Sequence, residues 1–555
     1  MEDIAKLLEL VDHEFPMSSY RPGQRNTIIK ILEAFSGGYK HVLLEAPVGS
    51  GKSAIALALA RILGPTFCIT PQKILQDQYT TDFGENGKHI NNKEPMIDLK
   101  GRNTYPCNFY ERILKAKPDD SYDKHDYERF NKLVNQDVRC DRGECKREGE
   151  SKLGFCVNED GVYCPYFRRL YQAASARICL MNFHSFLFQT SVTRRFKPRN
   201  LLIIDECHNQ EDILMKFVEL RISDKHFLKQ GIKFPKFDIV SDYMAYFTEI
   251  DLVTKIASLL YEARITGAVK EEEEWESILL KLSIINNVNH NEWICEHLET
   301  DSGTSRTISL KPIFIDEFAD KYIFSKANHV LMMSATILSK SVICDALGLD
   351  NQATKMFRLK SLFPPEIRPI YYRPVGSMSY KHKATSIVKM IEEVNKICQE
   401  HSSERGIIHT HNFEIANALV ESCAPEIKAR FLYQKQAEFD GDKKAMLEQH
   451  KASKNSIIVA PAMHEGLDLI DDLGRFQIIC KVPYPSMVDP QIAARMEISQ
   501  DYYNWRTATK LVQSYGRIYR HATDHGKTYI LDSDFKRFME QTEHMLPKWF
   551  TEAII

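Results

Sequence analysis

HVLLEAPVGSGKSAIALALARIL, residues 41 to 63, passes from an apolar, β-rich run through a glycine-bearing loop into an apolar helical pattern. Strand, loop and helix in that order are the setting in which a Gly-Lys-Ser turn binds phosphate. Gly49 and Gly51 let the backbone turn its amides inward, and the start of the helix adds partial positive charge where phosphate oxygens sit. Lys52 is placed to reach the β and γ phosphates of ATP and the Ser53 hydroxyl to ligate Mg2+, with Ser50 closing the loop between the glycines. Ala46 stands where the usual pattern has its first glycine. The helical pattern stops at Gly64-Pro65, a favoured helix end.

Working outward, further apolar runs recur at FCIT (67 to 70), LLIIDE (201 to 206), HVLMMSAT (329 to 336), GIIHT (406 to 410), SIIVAP (456 to 461), FQIICKVP (476 to 483) and TYILDS (528 to 533). Short apolar runs of this kind read as buried parallel strands, and the helical patterns between them make the fold class α/β. Two stretches break the alternation. Residues 101–172 are rich in Cys, Lys, Asp and Gly and weak in strand signal, as in a small metal-stapled insert; residues 215–312 carry long helical patterns and read as a mainly helical insert. The acidic block 271–274 reads as a solvated helix face.

LLIIDECH supplies the second half of a nucleotide site: an apolar strand ending in Asp205, which can hold Mg2+ through its water shell, and Glu206, which can position or deprotonate the attacking water. Adjacent carboxylates on a buried strand call for a balancing cation. Ser334-Ala335-Thr336 closes another strand, and QSYGRIYR, starting at Gln513, sets Arg517 and Arg520 on one helical face. Arginines so spaced can reach a γ phosphate as arginine fingers do.

The 555 residues, 43% hydrophobic and 27% charged, are enough for several cores, and the formal net charge of −2 rules out a uniformly basic binder while leaving room for a basic groove. No stretch approaches the roughly 20 apolar residues that span a bilayer, so an intracellular protein, cytoplasmic or nucleoid-associated and without a membrane partner, is expected. Cys107, Cys140, Cys145, Cys156 and Cys164 crowd one window, which suggests a metal site in a reducing compartment. Spacing alone leaves zinc and an iron–sulfur cluster equally open.

Taken in order, these motifs resemble those of superfamily 2 helicases, and specifically the XPD/DinG family of iron–sulfur DNA helicases. Tyr20-Arg21-Pro22-Gly23-Gln24 resembles the adenine-reading element, with Gln24 at the base edge; Thr70-Pro71-Gln72 resembles the DNA-contacting motif after the phosphate loop, and the DECH box, with Cys207 for the usual Ala, the Mg2+ motif. Ser334-Ala335-Thr336 resembles the motif that couples hydrolysis to DNA, His409-Thr410-His411 lies at the fourth motif, Glu465-Gly466-Leu467-Asp468 resembles the fifth, bringing Gly466 and Asp468 to the nucleotide, and Gln513 to Arg520 the sixth.

The resemblance implies two RecA-like domains: the first in 1–100, 173–214 and 313–340, interrupted by a cluster insert (101–172) and an arch-like helical insert (215–312), and the second in 341–555. It implies a 4Fe-4S cluster on Cys107, Cys145, Cys156 and Cys164, with Cys140 as alternate ligand, zinc as the competing metal, and Tyr105, Tyr163 and Tyr166 stacking on bases or packing the cluster. It also implies an ATP-driven, monomeric motor on single-stranded and forked DNA, moving 5′ to 3′. An ATP-gated DNA damage sensor or scaffold, with protein partners on the helical insert, and an RNA motor are the alternatives.

Overall fold

The structure is a computed structural model that describes residues 2–90, 93–108, 139–140, 164–224, 232, 236–266, 269–299, 306–433, 443–461, 469–519 and 524–555. The chain divides into two compact units, one made of Met1–Ala58, Glu206–His208 and Leu331–Ile555, the other of Leu59–Asp205 and Asn209–Val330.

In chain order the strands are β1 (His41–Glu45), β2 (Thr66–Thr70), β3 (Met96–Leu99), β4 (Ile178–Asn182), β5 (Arg199–Ile204), β6 (Leu220–Ser223), β7 (Trp293–Glu299) and β8 (Arg306–Pro312). They continue with β9 (Ala327–Ser334), β10 (Thr354–Arg358), β11 (Ile370–Gly376), β12 (Gly406–His409), β13 (Phe431–Tyr433), β14 (Ile457–Ala460), β15 (Phe476–Ile479) and β16 (Lys527–Asp532).

In the first unit the order is β10-β1-β9, with β1 and β10 parallel and Glu45 opposite Arg358 at their carboxyl ends. In the second unit the order is β9-β5-β2-β4-β3, β9 running through residue 330 from one unit to the other. The β2–β5, β2–β4 and β3–β4 pairs are parallel. A further parallel sheet, β11-β16-β15-β12-β14-β13, lies wholly in the first unit.

All eight apolar runs, including the one at 41–47, coincide with strands of these two sheets, in accord with an α/β fold. Helix Lys52–Leu63 is apolar on every side because it is central: residues 55 to 60 are fully buried. It ends where Gly64 takes φ 92°, a left-handed stop, and its amide bonds Ala60 O at 3.2 Å. In the other sheet, helix Lys383–Glu400 buries Met390, Val394, Ile397 and Cys398, one stripe at helical spacing, over Ile408, Val459 and Ile478.

Two expectations change. The insert at 215–312 does carry helices, Val240–Glu249, Leu252–Thr266 and Val269–Ile285, but it also holds the antiparallel sheet β6-β8-β7. Polar residues interrupt the apolar ones in WICEHLE and RTISLKP, where even Ser309 and Lys311 are buried, and this hides both strands among helical patterns. The boundary at 340 also moves, since β10, a short strand with two basic residues, pairs with β1 and so belongs to the first sheet. Among the described residues no helix is long and apolar enough to cross a membrane.

Candidate active site

The loop after β1 starts with Ala46, whose amide donates to Ser334 O at 2.9 Å, tying it to the end of β9. Ala46 is not among the residues with positive φ, so the methyl group at the pattern's first glycine costs nothing there. Gly49 and Gly51 take φ 78° and 79°, the left-handed values a side chain resists. Ser50 closes the turn through its amide and hydroxyl, both donating to Pro47 O, at 3.2 and 2.6 Å. Lys52 and Ser53 open the helix, and the Lys52 ammonium lies 3.3 Å from Ala46 O and 3.5 Å from the Glu206 carboxylate. Glycine conformation, helix start and lysine together fit the triphosphate of ATP with Mg2+.

Gln24, expected at the adenine, faces the loop itself. It is 2% exposed; its Nε2 donates to Ser50 O at 3.0 Å and Gly51 O at 3.2 Å, and its Oε1 accepts from the Arg21 amide at 2.7 Å. The Arg21 guanidinium donates to Gly49 O. A Cβ on Gly51 would sit 2.2 Å from the Gln24 amide nitrogen, so a glycine is required there for packing as well as for φ.

Asp205 is buried beyond β5; its amide donates to Ile69 O at 2.9 Å and its carboxylate accepts from Tyr79 Oη at 3.0 Å. Glu206 adopts φ 47°, an uncommon conformation for this residue and the kind of backbone strain found at working sites. Burial acts to raise its carboxyl, but the charges of Lys52 and Arg517 outweigh that and hold it below the usual carboxylate range.

His208 joins these parts. Gln513 Nε2 donates to His208 Nε2, which leaves the proton on Nδ1; Nδ1–H donates to Ser334 Oγ at 2.8 Å, and Ser334 donates to Glu206 Oε2 at 3.3 Å. Thr336 closes the group: its Oγ1 accepts from Gln513 at 3.3 Å and its amide donates to Ser334 Oγ at 3.1 Å. Arg517, one turn beyond Gln513, donates from Nε to Gln513 O at 3.1 Å. Lys52, Glu206, Gln513 and Arg517 are thus brought together within one unit, while Arg520, Gly466 and Asp468 lie outside the described residues. Reasoning from the sequence did not single out His208 or Tyr79; the last letter of DECH was a signal for the first, and nothing local pointed to the second.

At the insert, Pro106 and Arg139 form an antiparallel bridge and the Cys140 amide donates to Tyr105 O at 3.0 Å. This places Cys140, the expected alternate, against the two flanking cysteines: its sulfur is 3.6 Å from Cys164 Sγ and its thiol also bonds that of Cys107. All three are buried. The bonds to Cys107 and Cys164, with burial, push the Cys140 thiol far up, whereas the bond from Cys140 pulls Cys164 down to about 6. Cys145, Cys156 and Tyr163 lie outside the described residues. Among the described residues no group of three or more His, Cys, Asp or Glu has the arrangement to hold a metal ion, although buried thiols of this kind have the donor chemistry for zinc or iron.

Tyr105 and Tyr166 pack edge to face at 5.7 Å, with Arg102 over the Tyr166 ring at 5.2 Å. Arg102 also pairs at 3.8 Å with Glu273, so the acidic block 271–274 is not wholly a solvated face.

Two family models match the chain: "Type III restriction enzyme, res subunit" over residues 17–229 and "Helicase C-terminal domain" over 394–553. A relative from Escherichia coli (strain K12), the ATP-dependent DNA helicase YoaA, is 21% identical over 92% of this chain and 91% of its own length. Human regulator of telomere elongation helicase 1 is 28% identical over 15% of this chain, a match to 8% of that protein. Among solved structures, an XPD helicase aligns with TM-score 0.58 at 15% identity, covering 95% of this chain and 98% of its own. S. tokodaii Xpd4 aligns at TM-score 0.51 and 13% identity, covering 96% and 99%. The two parallel sheets are therefore RecA-like, and the two matched domains with the full-length E. coli relative support an ATP-dependent helicase similar to the XPD/DinG type of superfamily 2.

Proposed function

We propose that this helicase uses ATP hydrolysis to move along single-stranded DNA, 5′ to 3′, and part the duplex ahead of it. The observation that carries the reading is the hydrogen-bond path from Gln513 through His208 and Ser334 to Glu206, which faces Lys52. Lys52 and Ser53 would hold ATP and Mg2+ with Asp205, Glu206 would direct water, and Arg517 with Arg520 would meet the γ phosphate. Gly466 and Asp468 would lie near the nucleotide, as the motif resemblance implies. DNA as the substrate follows the name of the E. coli relative. Binding through backbone and base stacking, at about 1 to 3 kcal/mol per stacked base, makes the motor tolerant of sequence and sensitive to salt.

The test is strand displacement on duplexes with a 5′ or a 3′ tail. Unwinding of the 5′-tailed substrate only, abolished by Lys52→Ala, is the expected result. Single-strand binding without displacement by the unsubstituted protein would favour an ATP-gated sensor or scaffold, and displacement confined to RNA would favour an RNA motor.

The insert is proposed to hold a metal through Cys107, Cys145, Cys156 and Cys164, with Cys140, which lies against Cys107 and Cys164, as the alternate ligand. The family resemblance implies a 4Fe-4S cluster. The 3.6 Å between Cys140 and Cys164 sulfurs favours a second reading, a single zinc ion, since Zn–S bonds of about 2.3 Å in a tetrahedron put sulfurs about 3.8 Å apart. Iron with acid-labile sulfide and broad visible absorbance in anaerobically purified protein supports the cluster; colourless protein with stoichiometric zinc supports the ion.

A further inference from the structure

The turn after Ser334-Ala335-Thr336 is unusual. The Ser339 amide donates to Ile337 O at 2.7 Å around Leu338, whose φ is 61°. This is a γ-turn with positive φ at its centre, a rare and strained form, and a buried leucine is a poor residue for it. Strain of this kind persists only where the surroundings over-determine it.

The surroundings here are specific. Glu45, the last residue of β1 before the phosphate loop, accepts the Leu338 amide at 2.6 Å on one carboxylate oxygen. Arg358, its register partner on β10, donates Nε to the other oxygen at 3.0 Å and Nη2 to Leu338 O at 2.7 Å. Both polar groups of the Leu338 residue are therefore gripped by one ion pair. Trp505, on the helix that ends in Gln513 and Tyr515, donates to Ile337 O at 2.8 Å. The same pair answers a question about Glu45 itself: burial pushes its carboxyl up, and Arg358 and the turn's amides act against that.

We propose that Glu45 and Arg358 are positioning residues of the ATP site. They hold the strained turn so that the Ser334 and Thr336 hydroxyls stay on Glu206, His208 and Gln513. The proposal rests on the reading of that hydrogen-bond path as part of the hydrolytic machinery.

The experiment is a double-mutant cycle in the full chain with Arg358→Met and Thr336→Ala, reading kcat and KM for ATP with and without single-stranded DNA. The Arg358 side chain is 58% exposed, so its replacement leaves the core in place. Arg358→Met is expected to lower kcat about tenfold with KM and the affinity for a fluorescent ATP analogue unchanged, Arg358→Lys to recover part of it, and the double variant to be no slower than the slower single one. Glu45→Gln, which keeps an acceptor for the turn, is expected to fall between.

An Arg358→Met enzyme with unaltered kcat, or effects that multiply in the double variant, would overturn the proposal while the path stands. Should Ser334→Ala leave kcat untouched, the path itself is misread and the proposal falls with it. A loss of thermal stability with normal kcat in the folded fraction would mark the pair as structural only.

Discussion

Where the phosphate loop is held by backbone, with glycines at φ 78° and 79° and three carbonyls tied down by Arg21 and Gln24, the described cysteines of the insert meet thiol to thiol, Cys140 also donating to Pro106 O at 2.9 Å. In the loop, peptide groups and a ring of side-chain bonds fix the geometry regardless of protonation. In the insert, contact between the thiols pushes Cys140 far up and pulls Cys164 down to about 6, so the cysteines titrate together. One region binds through peptide groups; the other through coupled thiols. The two should therefore fail separately.

Arg517→Ala gives the sharpest separation. Loss of an arginine finger costs about 10³ to 10⁵ in rate, so steady-state ATP hydrolysis should all but vanish while metal content stays unchanged. A residual rate above about a tenth of normal would show that Arg517 serves Glu206 only as a background charge. Gln513→Ala comes next. It leaves His208 Nε2 without the Gln513 donor, and at about 1 to 3 kcal/mol for a buried unsatisfied group kcat should drop roughly 5- to 160-fold. Cys140→Ser should have the smallest effect on ATP: metal content and strand displacement fall, while DNA-independent hydrolysis stays within about threefold, a change of only about 0.7 kcal/mol in barrier. Collapse of that basal hydrolysis would show that the insert shapes the motor core and would end the contrast.

How much could be read from the chain follows the range of each interaction. The eight apolar runs were visible because parallel strands buried on both faces need unbroken apolar residues, and β1 and β9 are examples. β10 (TKMFR), on the edge of its sheet, and β7 and β8 carry too many polar and charged residues to stand out. In the site, Lys52 and Glu206 belong to compact motifs. Tyr79 bonds Asp205 across 126 residues and Arg358 bonds Glu45 across 313, separations at which no local pattern exists. Spacing alone says nothing of the bridge from Pro106 to Arg139 that brings Cys140 to Cys164.

The inward-facing amide of Gln24 bears on nucleotide choice. Nε2 has two hydrogens, and Ser50 O and Gly51 O take both. A purine edge that needs a donor from this side chain must win it from the loop, so recognition of the base and release of the loop become one exchange. Discrimination between nucleobases at Gln24 would then register as a change in phosphate grip, felt several bonds away from the ring being read.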